Sequence, residues 1–175
     1  TASASQTPSH SPSMAPGLRA ELHRVEVDTA DFVTVPFGIT FDHPVVVCSV
    51  ETDSTLDSQP LFTRIANCIA GPGGSFDVRV STSDGSSVAG ATVRCFAVEE
   101  GVYTEAEDGI KMEVHKYTSS VVDSKAAGYV GTVQTYSNSY TSPVVVGQVT
   151  TSNDDLFQVF WSSGSNHRSP ADASG

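Results

Sequence analysis

Positive charge is scarce in this chain, and that scarcity removes whole classes of function before any motif is read. Lysine and arginine number 9 against 20 aspartates and glutamates, for a formal net charge of −11 and a pI near 4.6. The lysines, Lys111, Lys116 and Lys125, are isolated. No basic stripe exists to neutralise phosphates, so no nucleic-acid partner is expected. Long apolar runs are missing as well. Nothing approaches the roughly 20 consecutive apolar residues that span a bilayer, so no membrane insertion is expected. A signal-peptide pattern is lacking, although Thr1 suits a mature N-terminus left by processing. Strong helix signals are absent, while Ser, Thr and Val are abundant and only 17% of residues are charged. β-branched side chains suit a pleated, half-buried surface, so the composition reads as β-rich.

Chemical motifs are equally thin. No nucleophile elbow, phosphate loop, zinc spacing or Cys–His pair stands out, so no enzyme, cofactor or metal site is expected. "ETDSTLD" (Glu51 to Asp57) and "SNDD" (Ser152 to Asp155) hold clustered oxygens. They lack the ligand spacing of a calcium loop and read as solvated turns. The five histidines are scattered, but His23 and His115 each follow a glutamate, Glu21 and Glu113, by two residues. Both pairs read as structural surface pairs.

Cysteine occurs three times, at 48, 68 and 95, an odd count that leaves at least one thiol free or bound to another chain. In "VVVCSV", Cys48 shares strand parity with Val46 and Val50, and in "VRCFAV" Cys95 shares parity with Val93 and Ala97. Both therefore face one core. Two readings stand: buried free thiols, which pack as small hydrophobes, or a Cys48–Cys95 disulfide. The redox compartment stays open between them.

What is present is a repetition. "DHPVVVCSV" (Asp42 to Val50) returns as "TSPVVVGQV" (Thr141 to Val149), with five of nine residues identical. "GLRAELHRV" (Gly17 to Val25) aligns without a gap on "GIKMEVHKY" (Gly109 to Tyr117), an offset of 92, whereas the valine runs lie 99 apart. "LFTRI" (Leu61 to Ile65) falls opposite "LFQVF" (Leu156 to Phe160). Three collinear blocks predict a tandem duplication. The organisation follows: a Ser/Pro-rich linker or stalk over 1–16, a first module over 17–108 and a second over 109–175. The first module reads as short strands: "AELHRVEV", "DFVTVPFGITF", "PVVVCSV", "LFTRIANCIA", "SFDVRVS" and "ATVRCFAVEEGVY", with turns at "GPGG" and "SDGSS". Strands at this spacing predict an all-β fold, an antiparallel β-sandwich. The second module is expected to lack counterparts of the last strands of the first. A longer parent chain, a fragment, or strands donated by a neighbouring subunit would each account for that.

One stretch resembles a known family. Phe41, Pro44 and Val45, then Leu56–Asp57, Arg64, Phe76–Asp77 and "VRCFAVE" (Val93 to Glu99) follow an order similar to the H-type lectin domain. The resemblance covers about 31–101, with a weaker echo in 127–161. It implies a compact antiparallel sandwich, frequent trimers and binding of terminal N-acetylgalactosamine-like sugars at a surface rim. Family members often carry Trp before the Asp of the equivalent loop and another in the last strand. Here Ser83 precedes Asp84, and Phe96 stands in the last strand.

On this basis Asp57, Arg64 and Asp84 are the candidate sugar contacts. Each also has a simpler role. Arg64 reads as an exposed strand arginine paired with a carboxylate, and Asp84 as a turn residue, since Asp-Gly suits positive φ. Trp161, the one tryptophan, is either core or an interface anchor. The expectation is a non-enzymatic, self-associating extracellular or cell-surface protein, a subunit of a shell, sheath or filament. The alternative is a carbohydrate-binding adhesion module.

Overall fold

A computed structural model describes residues 17–51, 60–119, 131–151, 159–164 and 169–172. Its β1 (Ala20–Val27), β2 (Val33–Pro36), β3 (Pro44–Glu51), β4 (Leu61–Ile69), β5 (Ser75–Thr82) and β7 (Ala91–Glu99) occupy the segments read as strands, while the short β6 (Ser87–Val88) begins within the expected "SDGSS" turn. β8 (Gly101–Tyr103), a one-turn helix α1 (Glu105–Asp108) and β9 (Met112–Val114) follow. Thr104 caps α1 by accepting from the Glu107 amide, and Gly109 ends it in the left-handed region, with φ 70°. The chain thus passes from β8 to β9 through a capped helical turn.

All pairing is antiparallel. One sheet has the order β1–β7–β3, and a second has β2–β5–β4 with β6 also on β5. β8 and β9 form a separate two-stranded ladder. Alternation along β7 sends Ala91, Val93, Cys95 and Ala97 inward, where they meet Phe76, Val78 and Val80 of β5 in one apolar cluster with Phe41 and Ile65. Phe41, Ile65 and Phe76 are fully buried, each stabilising by about 2 kcal/mol relative to exposure. β4 carries an irregularity between Ala66 and Ile69, with Asn67 at φ 47°. The Asn67 amide donates to Asp77 Oδ2 at 2.7 Å while Thr34 donates to Asp77 Oδ1 at 2.7 Å, so one carboxylate ties β2 and β4 to β5.

Cys48 and Cys95 stand directly opposite in the β3–β7 register, with Cα atoms 4.1 Å apart, and are joined by a disulfide. Cys68 is a free thiol beside the core, and burial pushes its pKa up. At the end of β7 the Glu99 side chain is buried. Its carboxylate accepts from the Asp42 and His43 amides and lies 3.0 Å from Arg19 Nη2. This anchors the turn that feeds β3. After β9, the described residues contain no further strand.

Candidate functional site

The candidate sugar contacts are not gathered into one described site. Asp57 lies outside the described residues. Arg64 is 4% exposed in mid β4, opposite Arg79, with its guanidinium 5.3 Å from the Phe62 ring centroid. It is thus a buried arginine rather than the exposed strand residue expected. Asp84 sits in the β5–β6 turn beside Gly85, whose φ is 86°. Its carboxylate accepts from the Thr82 hydroxyl and from the Ser86 amide at 2.9 Å. The Thr82 hydroxyl and then the Ser86 amide hold its pKa below the usual carboxylate range. Asp84 is a turn acceptor in this arrangement. Trp161 is 42% exposed. Among the described residues no group of three His, Cys, Asp or Glu side chains is placed to hold a metal, and no helix is long and apolar enough to cross a membrane.

A brace recurs instead. In the first half Arg19 donates to the Thr40 carbonyl at 3.0 Å, and the Glu21 carboxylate accepts the Gly38 amide at 3.0 and 3.2 Å. His23 lies 2.8 Å from Glu21, and Phe37 and Phe41 meet edge to face at 5.0 Å. In the second half Lys111 donates to the Ser139 carbonyl at 3.1 Å. Glu113 accepts the Ser137 and Asn138 amides at 2.9 and 2.6 Å, and His115 lies 3.2 Å from Glu113. Tyr136 and Tyr140 meet edge to face at 5.1 Å. The braces are offset by 92 on the strand side and 99 on the turn side, as the two sequence blocks are. β9 also falls on the counterparts of Ala20–Leu22, and β8 pairs with it antiparallel as β7 pairs with β1.

The electrostatics of the second brace are explicit. Burial opposes ionisation of Glu113, but the Ser137 and Asn138 amides and the His115 ring outweigh it and hold the carboxyl below its ordinary value. Asn138 extends the contact by donating from its amide to the Tyr103 carbonyl at 3.1 Å.

From this braced turn the chain runs to the edges of both sheets. β3 pairs with β7 and β4 with β5, and the two strands pack against each other, each with a single ladder partner among the described residues. Gln148 enters between them. Its Oε1 accepts from the Cys48 amide at 3.4 Å, and its Nε2 donates to the Thr63 carbonyl at 3.0 Å. The Thr63 hydroxyl lies 3.1 Å from Gln148 Oε1 and 2.9 Å from the Cys48 carbonyl oxygen. Phe160 packs flat on Gly147, where a Cβ would come within 2.5 Å of the ring. A cleft of about 340 Å³ between Ser49, Phe62, Gln148 and Phe160 adjoins these bonds.

The outer face of the β1–β7–β3 sheet carries the second feature. Leu22, Phe96 and Val47 stand in register across the three strands, and Val146 borders the same hollow. Leu22 is 81% exposed and Val146 70%. Of the next two rows of the same face, the first holds Arg24 and Arg94 and the second Glu26 and Glu51; the arginines form ion pairs with the glutamates, and Thr92 is bonded to both Arg24 and Glu26. An apolar row thus runs beside a charge-balanced pair of rows. The sequence reading missed both the row and Gln148. The row was legible in outward-facing Leu22 and Phe96, whereas Gln148 carries no local signal.

Comparison of the chain with family models, with curated proteins and with solved structures finds no match.

Proposed function

We propose that this protein is a non-enzymatic structural subunit that associates with copies of itself through the outer face of the β1–β7–β3 sheet. The observation that carries the reading is the in-register apolar row Leu22–Phe96–Val47, bordered by Val146. Apolar side chains aligned on the solvent face of a sheet gain by being covered. The two flanking rows contribute two arginines and two glutamates, so the face is locally neutral on a chain of net charge −11. Two copies approaching elsewhere repel each other, whereas here they do not. In this reading the two main sheets are the layers of a sandwich, and the second half is a related module. The recurring brace supports that descent. The Cys48–Cys95 disulfide fits an oxidising, extracellular setting.

Light scattering behind size exclusion over a wide concentration range tests the proposal. The wild-type chain is expected to grow with concentration, and Leu22→Asp is expected to raise the dissociation constant at least about tenfold at unchanged melting temperature. A wild-type chain that stays single throughout, or association indifferent to Leu22→Asp, refutes it.

A further inference from the structure

Among the described residues, β3 and β4 are bridged by the Gln148 side chain and not by a ladder. A carboxamide presents the same donor and acceptor as a peptide unit, so Gln148 satisfies the Cys48 amide and the Thr63 carbonyl as an added strand would. We propose that the cleft between β3 and β4 is a receptor for residues 143–149, and that it takes this segment from a second copy of the chain as well as from its own. The inference deepens the self-association reading and rests on it.

The seat is defined by contacts already described. Gln148 bonds to one residue on each of β3 and β4, and Phe160 packs on Gly147. The flanking valines add little to its retention, because Val144 is 89% exposed and Val146 70%. Every one of these contacts is reproduced when two chains exchange segments. The intramolecular and exchanged forms then differ mainly in effective concentration, which makes exchange a function of protein concentration. The occupant is also suited to its surroundings. Residues 143–149 repeat the Pro-Val-Val-Val of β3, and Val146 extends the apolar row across the outer face. An exchanged segment would therefore carry part of one copy's row onto its neighbour.

The test uses the full chain bearing Gln148→Ala, which releases the Cys48 amide and the Thr63 carbonyl from their own partner. Two fluorescein-labelled peptides are titrated against it by anisotropy: Thr-Ser-Pro-Val-Val-Val-Gly-Gln-Val-Thr, matching 141–150, and the same peptide with Ala in place of Gln. The Gln peptide is expected to bind about tenfold more tightly, the worth of two net hydrogen bonds. Thr63→Val in the receptor, nearly isosteric and so safe for folding, is expected to narrow that ratio. Equal affinities, or no binding of either peptide, overturn the proposal. Wild-type self-association is measured separately. Growth abolished by Leu22→Asp without peptide discrimination removes the receptor alone. Peptide discrimination by a chain that never associates removes the exchange and the self-association reading while leaving the intramolecular seat.

Discussion

The two halves of the molecule build the same turn and then diverge. In the first half, the Glu21 brace closes residues 37–41 against Phe76, and the chain leaves as β3, paired along its length with β7. In the second, the Glu113 brace closes residues 136–140, and the chain leaves as 143–149, which joins no described ladder. The same three valines lie in a ladder in one place, with Val46 in the core, whereas in the other Val144 and Val146 are exposed. At the Cys48 position stands Gly147. The turn is specified locally, by a carboxylate two residues from a histidine and by two aromatics four residues apart. The strand is not, because a ladder needs a partner that local sequence cannot supply.

Breaking the disulfide tests the largest difference. The bond closes a loop with a sequence separation of 47, which corresponds to about 4 kcal/mol of chain-entropy stabilisation. Replacing both Cys48 and Cys95 by Ala is expected to lower urea-unfolding stability by about that much, and a loss below about 1 kcal/mol would mean the ladder alone holds β3. Next comes the brace itself. Glu21→Ala leaves the Gly38 amide and His23 without their acceptor beneath packed aromatics and should cost about 2 kcal/mol globally. Glu113→Ala should leave the unfolding midpoint nearly unchanged while speeding amide exchange at Ser137 and Asn138, because the turn it closes supports no described ladder. Equal global losses for the two substitutions would contradict the asymmetry.

The smallest effect is one of pH. The Glu113 carboxyl is held below its ordinary value in the folded chain, so its contribution is present above the unfolded pKa. It is lost as pH falls through the lowered folded value. The Ser137 and Asn138 amides should therefore stay protected above the ordinary glutamate range and open progressively as pH falls below it. Glu113→Gln should remove that pH dependence. A profile unaltered by the substitution would assign the protection to other groups.

Much of the first half was legible. The stretch "AELHRVEV" is β1 residue for residue, and "GPGG" and "SDGSS" punctuate the β4–β5 and β5–β6 connections. These were readable because alternation and turn chemistry are local. Arg64 was not, since β4 buries Thr63, Arg64 and Ile65 in succession and breaks the period of two on which the reading relied. The second brace was half legible. The Glu-x-His echo was seen, but the match of Phe37 and Phe41 to Tyr136 and Tyr140 hides behind a change of residue type. Gln148 could not be read at all, because its partners lie 85 and 100 residues away.

Cys48 gives the molecule a mechanical character. Its backbone amide receives Gln148 from the second half, while its sulfur is bonded to the central strand β7. Gln148 also holds the Thr63 carbonyl, so tension applied through it is divided between the two sheets, and the share reaching Cys48 meets a covalent link into β7. Under steady pulling the Gln148 hydrogen bonds are expected to give way before that covalent link does.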